Sequence, residues 1–485
     1  MAASRWTSRF LSILFAAGVF APVAQAQTTA VRGTVRDSLT LRPLQSASIV
    51  VVAGGQLEYG AASDGDGYFL IPRVPFGDYE LTVSFVGYET VRRPISVTRD
   101  GPGLLRLTLM PSTATMDEVV VQGETEAGIT NVRAGLQVVQ PVDIQRVPVL
   151  GASGDLAAYL QTIPGVAAQG DRGGQVFIRG GSTDQNLALL DGMPIYQPFH
   201  IVSFFSAFPE EVVDHADVYT GAFGASYSTR LSSVIDVMMR NGNKERISGS
   251  ASVAPFLSGI RVEGPIVRDR ISFVGSVRQS LVEEITPNLY GQRLPYRFGD
   301  RFAKLHALIG ARHSLSATAL STSDRGDIAG ELTGFDGSFV PEARDESTER
   351  EVSWSNRVAG GRYTYRAGWA PMLLELRASV SRSEHSVGPE GAPERTAKIE
   401  SRDAGLEATV FTSFGEVNSG LSWRRSEMDF RLGGQFQDID ERTTSTSEVS
   451  LFAESRIGRA DSPVQMSAGL NLYLLPDRDE LKLEP

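Results

Sequence analysis

The sequence predicts a mainly β fold in three successive parts: a small β-sandwich, a small α+β domain, and a partial antiparallel transmembrane β-barrel truncated at its C-terminal end. Three observations lead to this prediction. Short strand-like runs separated by turn residues come first, a glycine-rich segment with two helical patterns follows, and the remainder alternates apolar and polar residues. The chain has 485 residues, which is more than one ordinary domain requires.

Composition excludes several classes of function. A net charge of −11 argues against a nucleic-acid surface, and the absence of cysteine rules out disulfides, thiolate metal sites and cysteine nucleophiles. The sequence has no H-E-x-x-H zinc motif, no Walker A loop and no G-x-S-x-G elbow. We therefore expect no catalytic residues, no metal and no cofactor.

The N-terminus is typical of a secretory signal peptide over residues 1–26. Arg5 and Arg9 precede the apolar run Phe10–Ala24, and the small residues of Ala24–Ala26 follow as a cleavage site. A transmembrane anchor is the alternative, but the apolar run is short and Pro22 interrupts it.

The next region, residues 27–112, reads as a β-sandwich. Its turn SDGDGY, Ser63–Tyr68, lacks the glutamate and the flanking helices of a calcium loop, so a hairpin turn is the better interpretation. The segments Val31–Val51 and Ser63–Glu89 resemble the carboxypeptidase regulatory-like domain, which implies a transthyretin-like sandwich. The resemblance does not imply a peptidase, since no zinc motif accompanies it.

The sequence pattern of residues 128–246 predicts a small α+β domain. The stretch SGDLAAYLQTIPGV reads as a helix with Ser153 as N-cap and Leu156, Leu160 and Ile163 on one face. Short strands follow, with a turn at Asp191-Gly192, and a second helical piece is expected over Pro209–His215.

The segment Val176–Val237 resembles the plug domain of TonB-dependent outer-membrane receptors, most of all the Bacteroidetes-type group with a preceding regulatory-like domain. IRGG, NLALLDGMPIY, YTGAFGASY and RLSSVIDV carry the resemblance, although Ser228-Thr229 stands where a Gly-Gly turn is usual. A plug inside a barrel must meet a polar lumen wall. The resemblance therefore implies wall contacts, with ordinary surface solvation as the alternative, at Arg179, Gly180, Gly181, Asp184, Asp191, Gly192 and Arg230.

Residues 247–485 alternate with a period of two, as barrel strands do. Apolar residues recur at every second position in ISFVGSVR, LELRASVSRS, MDFRLG, VSLFAESRI and MSAGLNLYL. Aromatics such as Tyr363, Tyr365, Trp369, Trp423 and Tyr473 are expected to form a girdle, and acidic loops are expected over Thr322–Glu351 and Glu384–Glu400. A soluble sandwich shows the same alternation and stays an alternative.

The length of this region predicts about 10 to 12 strands, whereas plugged outer-membrane transporters use about 22. We therefore expect the sequence to end about halfway round a barrel.

Between the sandwich and the plug stands MDEVVVQG, Met116–Gly123, a short apolar strand in a linker over residues 113–127. It resembles the TonB box, the segment that adds as a strand to the TonB sheet. The resemblance implies TonB binding by Asp117, Glu118, Val119, Val120 and Val121. The alternative is a last strand of the sandwich or a first strand of the plug.

Together these resemblances imply an outer-membrane receptor that imports a scarce or bulky solute with energy from TonB. Its expected partners are TonB, outer-membrane lipid, and an unidentified small-molecule, glycan or peptide ligand, with no nucleic acid. The N-terminal domain and the plug would face the periplasm. The alternative is a β-rich surface adhesin or glycan-binding protein without transport activity.

Overall fold

The structure is a computed structural model that describes most of the chain after residue 27. The described ranges are 28–38, 43–44, 47–53, 56–63, 67–85, 88–98, 102, 104–110, 135–149, 154–168, 176–201, 205–227, 231–254, 256–291, 296–310, 312–327, 351–367, 372–388, 395–412, 415–432, 441–457, 466–478 and 480–484. Among these residues, no helix combines the length and the apolar character needed to cross a membrane. The predicted signal peptide lies outside the described residues.

The N-terminal part is a sandwich of two sheets with its own apolar core. Alternate residues along its strands point inward, so that Val31, Ile49 and Leu81 are fully buried between the sheets. One sheet has the order β4-β1-β7 and the other the order β3-β2-β5-β6. The strands are β1 (Thr28–Asp37), β2 (Ser48–Ala53), β3 (Gln56–Ala62), β4 (Tyr68–Pro75), β5 (Gly77–Ser84), β6 (Val91–Val97) and β7 (Leu104–Leu109).

An inner domain, residues 135–240, follows. Its main sheet has the order β12-β11-β14-β13-β8, and β9 and β10 form a separate pair. Apolar residues of the central strands, such as Leu190, Ile235 and Val237, are buried on the face against the helices. The elements are β8 (Leu136–Val139), α1 (Pro141–Gln145), α2 (Leu156–Leu160), β9 (Val166–Ala168), β10 (Val176–Ile178), β11 (Asn186–Leu190), β12 (Met193–Ile195), β13 (Val213–Tyr219) and β14 (Ser233–Met239).

Two helix predictions for the inner domain are wrong, one in its N-cap and the other in its type. Helix α2 is capped by Asp155, whose side chain accepts a hydrogen bond from the Ala157 N–H, and not by Ser153. The carboxylate reaches the first turn from the position directly before the helix, which is the ordinary geometry of an N-cap. The second predicted helix is a single 3₁₀ turn, Glu210–Val212, after which β13 begins.

Within the described residues, the outer sheet contains twelve antiparallel strands, β15 to β26, each paired with the next in the chain. This number agrees with the expected ten to twelve. The strands are β15 (Ser248–Ser252), β16 (Ser258–Val267), β17 (Ile271–Gln279), β18 (Tyr296–Ile309), β19 (His313–Asp327), β20 (Glu351–Arg366), β21 (Met372–Val387), β22 (Arg395–Thr412), β23 (Gly415–Leu432), β24 (Glu441–Ile457), β25 (Met466–Leu475) and β26 (Glu480–Glu484), with helix α3 (Val282–Tyr290) between β17 and β18.

The outer sheet has two chemically different faces. Polar side chains such as Ser272, Lys304 and Asn356 are buried on the face toward the inner domain. Most large apolar side chains that the described chain exposes lie on the opposite face, including Leu305, Leu376, Leu421 and Leu472. An apolar exterior with a polar interior is the pattern of a membrane β-barrel, because lipid contacts only the outside.

The sequence misplaced several details of this sheet. Strand β19 continues to Asp327 and β21 to Val387, so both predicted acidic loops are shorter than expected. Met428 and Phe430 alternate with the exposed residue Glu427, and their side chains therefore face the interior. Tyr473 is buried toward the inner domain and takes no part in an outer girdle.

Candidate functional site between the inner domain and the outer sheet

The turn after β11 joins the inner domain to the outer sheet. Asp191 (φ 51°) and Gly192 (φ 78°) both occupy the left-handed region, as a two-residue hairpin turn between β11 and β12 requires. This turn directs the Asp191 carboxylate at Lys304 of β18, whose Nζ lies 3.0 Å from Oδ2. The Thr318 hydroxyl of β19 donates to the same oxygen at 2.7 Å.

The surroundings of Asp191 favour its ionised form. The Met239 N–H donates to Oδ1 at 2.9 Å, and the Arg362 guanidinium donates to the Asp191 carbonyl at 2.7 Å. Burial by itself opposes ionisation, but the charges of Lys304 and Arg362 together with these hydrogen bonds hold the pKa of Asp191 below its ordinary value. Asp191 is therefore a charged contact buried between the two parts of the molecule.

A second charged contact lies around His200, which is fully buried. Its Nδ1 lies 3.0 Å from Asp324 Oδ1 of β19, and its Nε2 lies 3.3 Å from Asp300 Oδ2 of β18. The neighbouring Ile201 N–H also donates to Asp324 at 2.8 Å. Burial lowers the pKa of His200, but the two carboxylates outweigh it and raise that pKa to about 9, so the imidazole carries a charge at neutral pH.

Arg278 of β17 extends this contact to helix α2. Its guanidinium donates to Asp300 Oδ2 (Nη2 at 2.7 Å) and to the Ser206 carbonyl at 2.7 Å, and it lies 3.7 Å from Asp155 Oδ2. The N-cap carboxylate of Asp155 also accepts from the Ser206 N–H at 2.8 Å. Burial raises the pKa of Asp155 to about 6, against the lowering effect of Arg278.

A third contact centres on Glu263 of β16, which is fully buried. Arg240, at the end of β14, donates to both of its carboxylate oxygens, at 2.8 and 2.7 Å. Arg261 lies on β16, as Glu263 does. It donates to Glu263 at 2.5 Å and approaches Glu211 of the inner domain at 3.3 Å. The outer sheet therefore holds the inner domain by opposite charges at three separate places.

Uncharged groups complete the interface. The amides of Asn356 and Asn471 donate to the carbonyls of Gln197 (2.8 Å) and Ala225 (2.7 Å) in the inner domain. One apolar core also crosses the boundary, with Val274, Phe302, Leu320 and Val358 of the outer sheet packed among residues of the inner domain. A polar cavity of about 110 Å³ remains between β11–β12 and strands β21–β25.

The predicted wall residues lie in different environments. Asp191 and Gly192 contact the outer sheet, as described above. Gly181 sits against Ser232, where a Cβ atom would collide with the hydroxyl, and Gly180 (φ 76°) occupies an open turn. Asp184 is exposed and accepts a hydrogen bond from the Ser182 hydroxyl.

Two groups of predicted residues remain predictions. Arg179 is exposed at a turn (φ 49°), and among the described residues no carboxylate forms an ion pair with it. Arg230 and the whole predicted TonB-binding segment, Asp117–Val121, lie outside the described residues.

Sequence reasoning missed the partners of these contacts. His200 was one of five scattered histidines, and Lys304, Asp300 and Asp324 were simply polar residues of alternating strands. For Lys304, Asp300 and Asp324 the available signal was their parity, since each stands at a strand position that alternation assigns to the lumen side.

Comparisons with known proteins agree with this architecture. Residues 30–110 match the family model of the carboxypeptidase regulatory-like domain, and residues 129–233 match that of the TonB-dependent receptor plug domain. The TonB-dependent receptor SusC of Bacteroides thetaiotaomicron is 27% identical over 38% of this chain. The TonB-dependent transporter Oar of Myxococcus xanthus is 26% identical over 49% of this chain.

Solved structures share the fold. The siderophore receptor PirA of Acinetobacter baumannii superposes with a TM-score of 0.57 at 14% identity, over 74% of this chain. The ferric enterobactin receptor PfeA of Pseudomonas aeruginosa gives a TM-score of 0.53 at 16% identity, also over 74% of this chain.

The matches span 18% of SusC, 23% of Oar and 59% of each of the two solved receptors. In this architecture the inner domain corresponds to the plug and the outer sheet to the barrel wall. The chain thus combines a carboxypeptidase regulatory-like domain, a TonB-dependent receptor plug domain and a barrel-like outer sheet, and in this order of domains it is similar to the TonB-dependent receptors.

Proposed function

We propose that the protein imports a scarce or bulky solute through the outer membrane, and that TonB supplies the energy. The observation that carries this proposal is the set of buried charged contacts between the inner domain and the outer sheet, above all Asp191 with Lys304 and His200 with Asp300 and Asp324. Such an interface closes the lumen, so passage of a solute requires work to rearrange it. The outer membrane has no nucleotide supply, and a periplasmic partner must therefore deliver that work.

The segment that would receive this work is Asp117–Val121. It stands between the sandwich and the inner domain, so tension applied there acts directly on the chain that enters the inner domain. Three consecutive valines favour extended backbone, which suits addition as a strand to the edge of a TonB sheet. The acids Asp117 and Glu118 keep the free segment soluble.

The connections between strands support an orientation. The link from β18 to β19 covers only residues 310–312, and that from β22 to β23 only residues 413–414, whereas residues 328–350 join β19 to β20. In outer-membrane barrels short turns face the periplasm and long loops face the exterior. We assign the sides of the outer sheet accordingly.

The lining of one cavity indicates the chemical class of the solute. The cavity beside β11–β12 is lined by charged groups, among them Arg377, Asp403 and Arg424, and such a lining suits a polar solute. The names of SusC, Oar, PirA and PfeA describe receptors or transporters, two of them for siderophores or ferric enterobactin. We propose a small-molecule, glycan or peptide ligand.

Site-specific cross-linking tests the coupling to TonB. The chain contains no cysteine, so a Val120→Cys variant carries a single reactive thiol. In cells that carry the full-length receptor and a TonB with cysteines placed along its edge strand, we expect a disulfide-linked receptor–TonB product. A Thr125→Cys variant, placed after the segment, should give much less of it.

Strand addition can be tested separately from mere proximity. Proline at position 121 has no backbone N–H, so it cannot donate the hydrogen bond that pairing with a neighbouring strand requires. Threonine keeps the N–H and favours an extended backbone. In the Val120→Cys background, Val121→Pro should therefore suppress the cross-link, and Val121→Thr should preserve it. Equal cross-linking from positions 120 and 125 in all of these backgrounds would contradict the proposal.

A further inference from the structure

The outer face of the outer sheet carries a row of arginines at one level. Arg301 of β18 is aligned through Ser321 of β19 with Arg357 of β20, and Arg357 directly faces Arg382 of β21. On β22 and β23 this level is occupied by Glu400 and Glu427, and two residues closer to the short turn Arg402 directly faces Arg425. All five belong to the outward set of alternating residues, and none is buried.

This arginine row is poorly compensated by the protein itself. Like charges directly opposite each other destabilise an antiparallel pair, and the row contains two such pairs, Arg357–Arg382 and Arg402–Arg425. Arg382 reaches Glu384 at 3.0 Å and Glu400 at 3.5 Å, but within the described part of the chain no carboxylate forms an ion pair with Arg301, Arg357 or Arg425. The row therefore presents an excess of positive charge to whatever surrounds the sheet.

The row also marks an edge of the apolar exterior. From Arg301 toward the short turn, the outward residues are Ala303, Leu305, Ala307 and Ile309. From Arg357 in the same direction, the outward positions end at Tyr363 and Tyr365. Eight residues of strand rise about 26 Å, or roughly 20 Å when tilted, which approaches the thickness of the lipid-facing band of a barrel.

A shallow groove of about 1020 Å³ joins the row to this apolar surface. Four of the arginines, Arg301, Arg357, Arg382 and Arg402, line it together with one carboxylate, Glu400, while Val277 and Val380 belong to its apolar lining. The groove thus offers guanidinium groups at one level and aliphatic side chains beside them. This combination matches a molecule that has an anionic head and apolar chains.

We propose that the groove binds a phosphorylated membrane lipid with a net anionic head group, with the phosphate between the arginines and the acyl chains along the apolar strands. Arginine suits this role because its planar fork donates two parallel hydrogen bonds to phosphate. The row lies on the side of the long connections, so the lipid belongs to the outer leaflet. That assignment of leaflet rests on the orientation given with the proposed function.

Lipid binding to the purified full-length receptor in a neutral detergent tests the proposal. Short-chain phosphatidic acid, the phosphatidylcholine with the same chains, and inorganic phosphate are titrated, and bound lipid is counted by native mass spectrometry. Four arginines line the groove and each favours an anionic head group, so we expect the receptor to prefer phosphatidic acid over phosphatidylcholine at least about tenfold. Equal binding of the two lipids would overturn the proposal, as would full competition by inorganic phosphate at equal concentration.

Variants then locate the site. Combining Arg301→Gln, Arg357→Gln and Arg402→Gln should reduce the preference at least about tenfold, because each removes one guanidinium from the groove. The same positions changed to lysine should retain part of it.

A matched variant controls for net charge. Arg297→Gln, Arg312→Gln and Arg431→Gln remove three exposed arginines that do not line the groove, and this variant should bind phosphatidic acid as the unaltered protein does. If both triple variants lost phosphatidic acid binding equally, the cause would be net charge in general, and the assignment of the site to the groove would be overturned. The readout is lipid binding and not uptake, so it can fail while solute import and TonB coupling still hold.

Discussion

At the scale of single residues, the Asp191–Lys304 pair makes the sharpest prediction. Both side chains are nearly inaccessible, at 5% and 4% exposure, so Lys304→Met leaves a buried carboxylate without its cation. Breaking a buried pair in this way costs about 3–5 kcal/mol. We expect the inner domain of Lys304→Met to be released from the outer sheet at a much lower urea concentration, as measured by hydrogen exchange of residues 186–195.

Two further variants check the cause of that loss. In the pair Lys398–Glu400 the side chains are 30% and 36% exposed, so Lys398→Met should change stability by less than about 1 kcal/mol. The double variant Asp191→Asn, Lys304→Met should recover part of the loss, because the uncompensated charge is gone. If Lys304→Met and Lys398→Met lowered stability equally little, the buried pair would contribute nothing measurable to the binding of the inner domain by the outer sheet.

His200 predicts a dependence on pH. Its pKa is about 9 in the folded protein against the ordinary 6.5, so its contribution is fully present below pH 6.5 and is lost as the pH rises through 9. Asp155, with a pKa raised to about 6, acts in the same direction but between pH 4 and 6. The charges around His200 are those of Asp300, Asp324 and Arg278.

The measurement compares the unaltered protein with His200→Gln. The difference in stability between them should shrink by up to about 3 kcal/mol between pH 6 and pH 10, since one pKa unit corresponds to about 1.4 kcal/mol. Hydrogen exchange of residues 196–201 and 205–208 reports it. A difference that stays constant across this range would mean that His200 is held by packing alone.

At the scale of elements, the hairpin turn between β11 and β12 determines how the inner domain meets the outer sheet. Gly192 has φ 78°, and a Cβ there would lie 3.1 Å from Arg362 Nη2, the group that donates to the Asp191 carbonyl. Gly192→Ala therefore adds displacement of Arg362 to the backbone cost of about 1 kcal/mol.

Gly310 provides the control at the turn between β18 and β19. It has φ 68° with no atom within 4 Å of an added Cβ, so Gly310→Ala should show only the backbone cost. Thermal unfolding of both variants measures the comparison. Equal shifts in Tm would mean that the Arg362 contact adds nothing to the turn.

Periodicity and turn chemistry made the elements predictable, while long-range pairing did not. Alternation in ISFVGSVR correctly placed Ser272 and Ser276 on one face, and the Asp-Gly dipeptide gave the hairpin. The contacts of Asp191, by contrast, join positions 113 and 127 residues apart, and no local pattern encodes such distances. Alternation alone did not show that Met428 faces the interior, because the outward side of the sheet becomes polar beyond the apolar band, as Arg425 and Glu427 show.

At the scale of the whole molecule, the sandwich forms a unit of its own beside the inner domain and the outer sheet. Its core shares no described residue with the other apolar cores. Contacts that reach it from the rest of the chain include Arg36 with Glu245, at 2.6 Å, and Arg366 over the ring of Tyr68. Partly exposed contacts of this kind contribute about 1 kcal/mol or less each.

We therefore expect that deleting residues 28–110 leaves the remaining assembly intact. Its thermal unfolding should shift by only a few degrees, because the three charged contacts between the inner domain and the outer sheet are retained. The TonB cross-link of the Val120→Cys variant should persist as well, since the deletion ends before Asp117. Loss of the cross-link in a deletion variant that still unfolds cooperatively would show that the sandwich itself presents the segment to TonB.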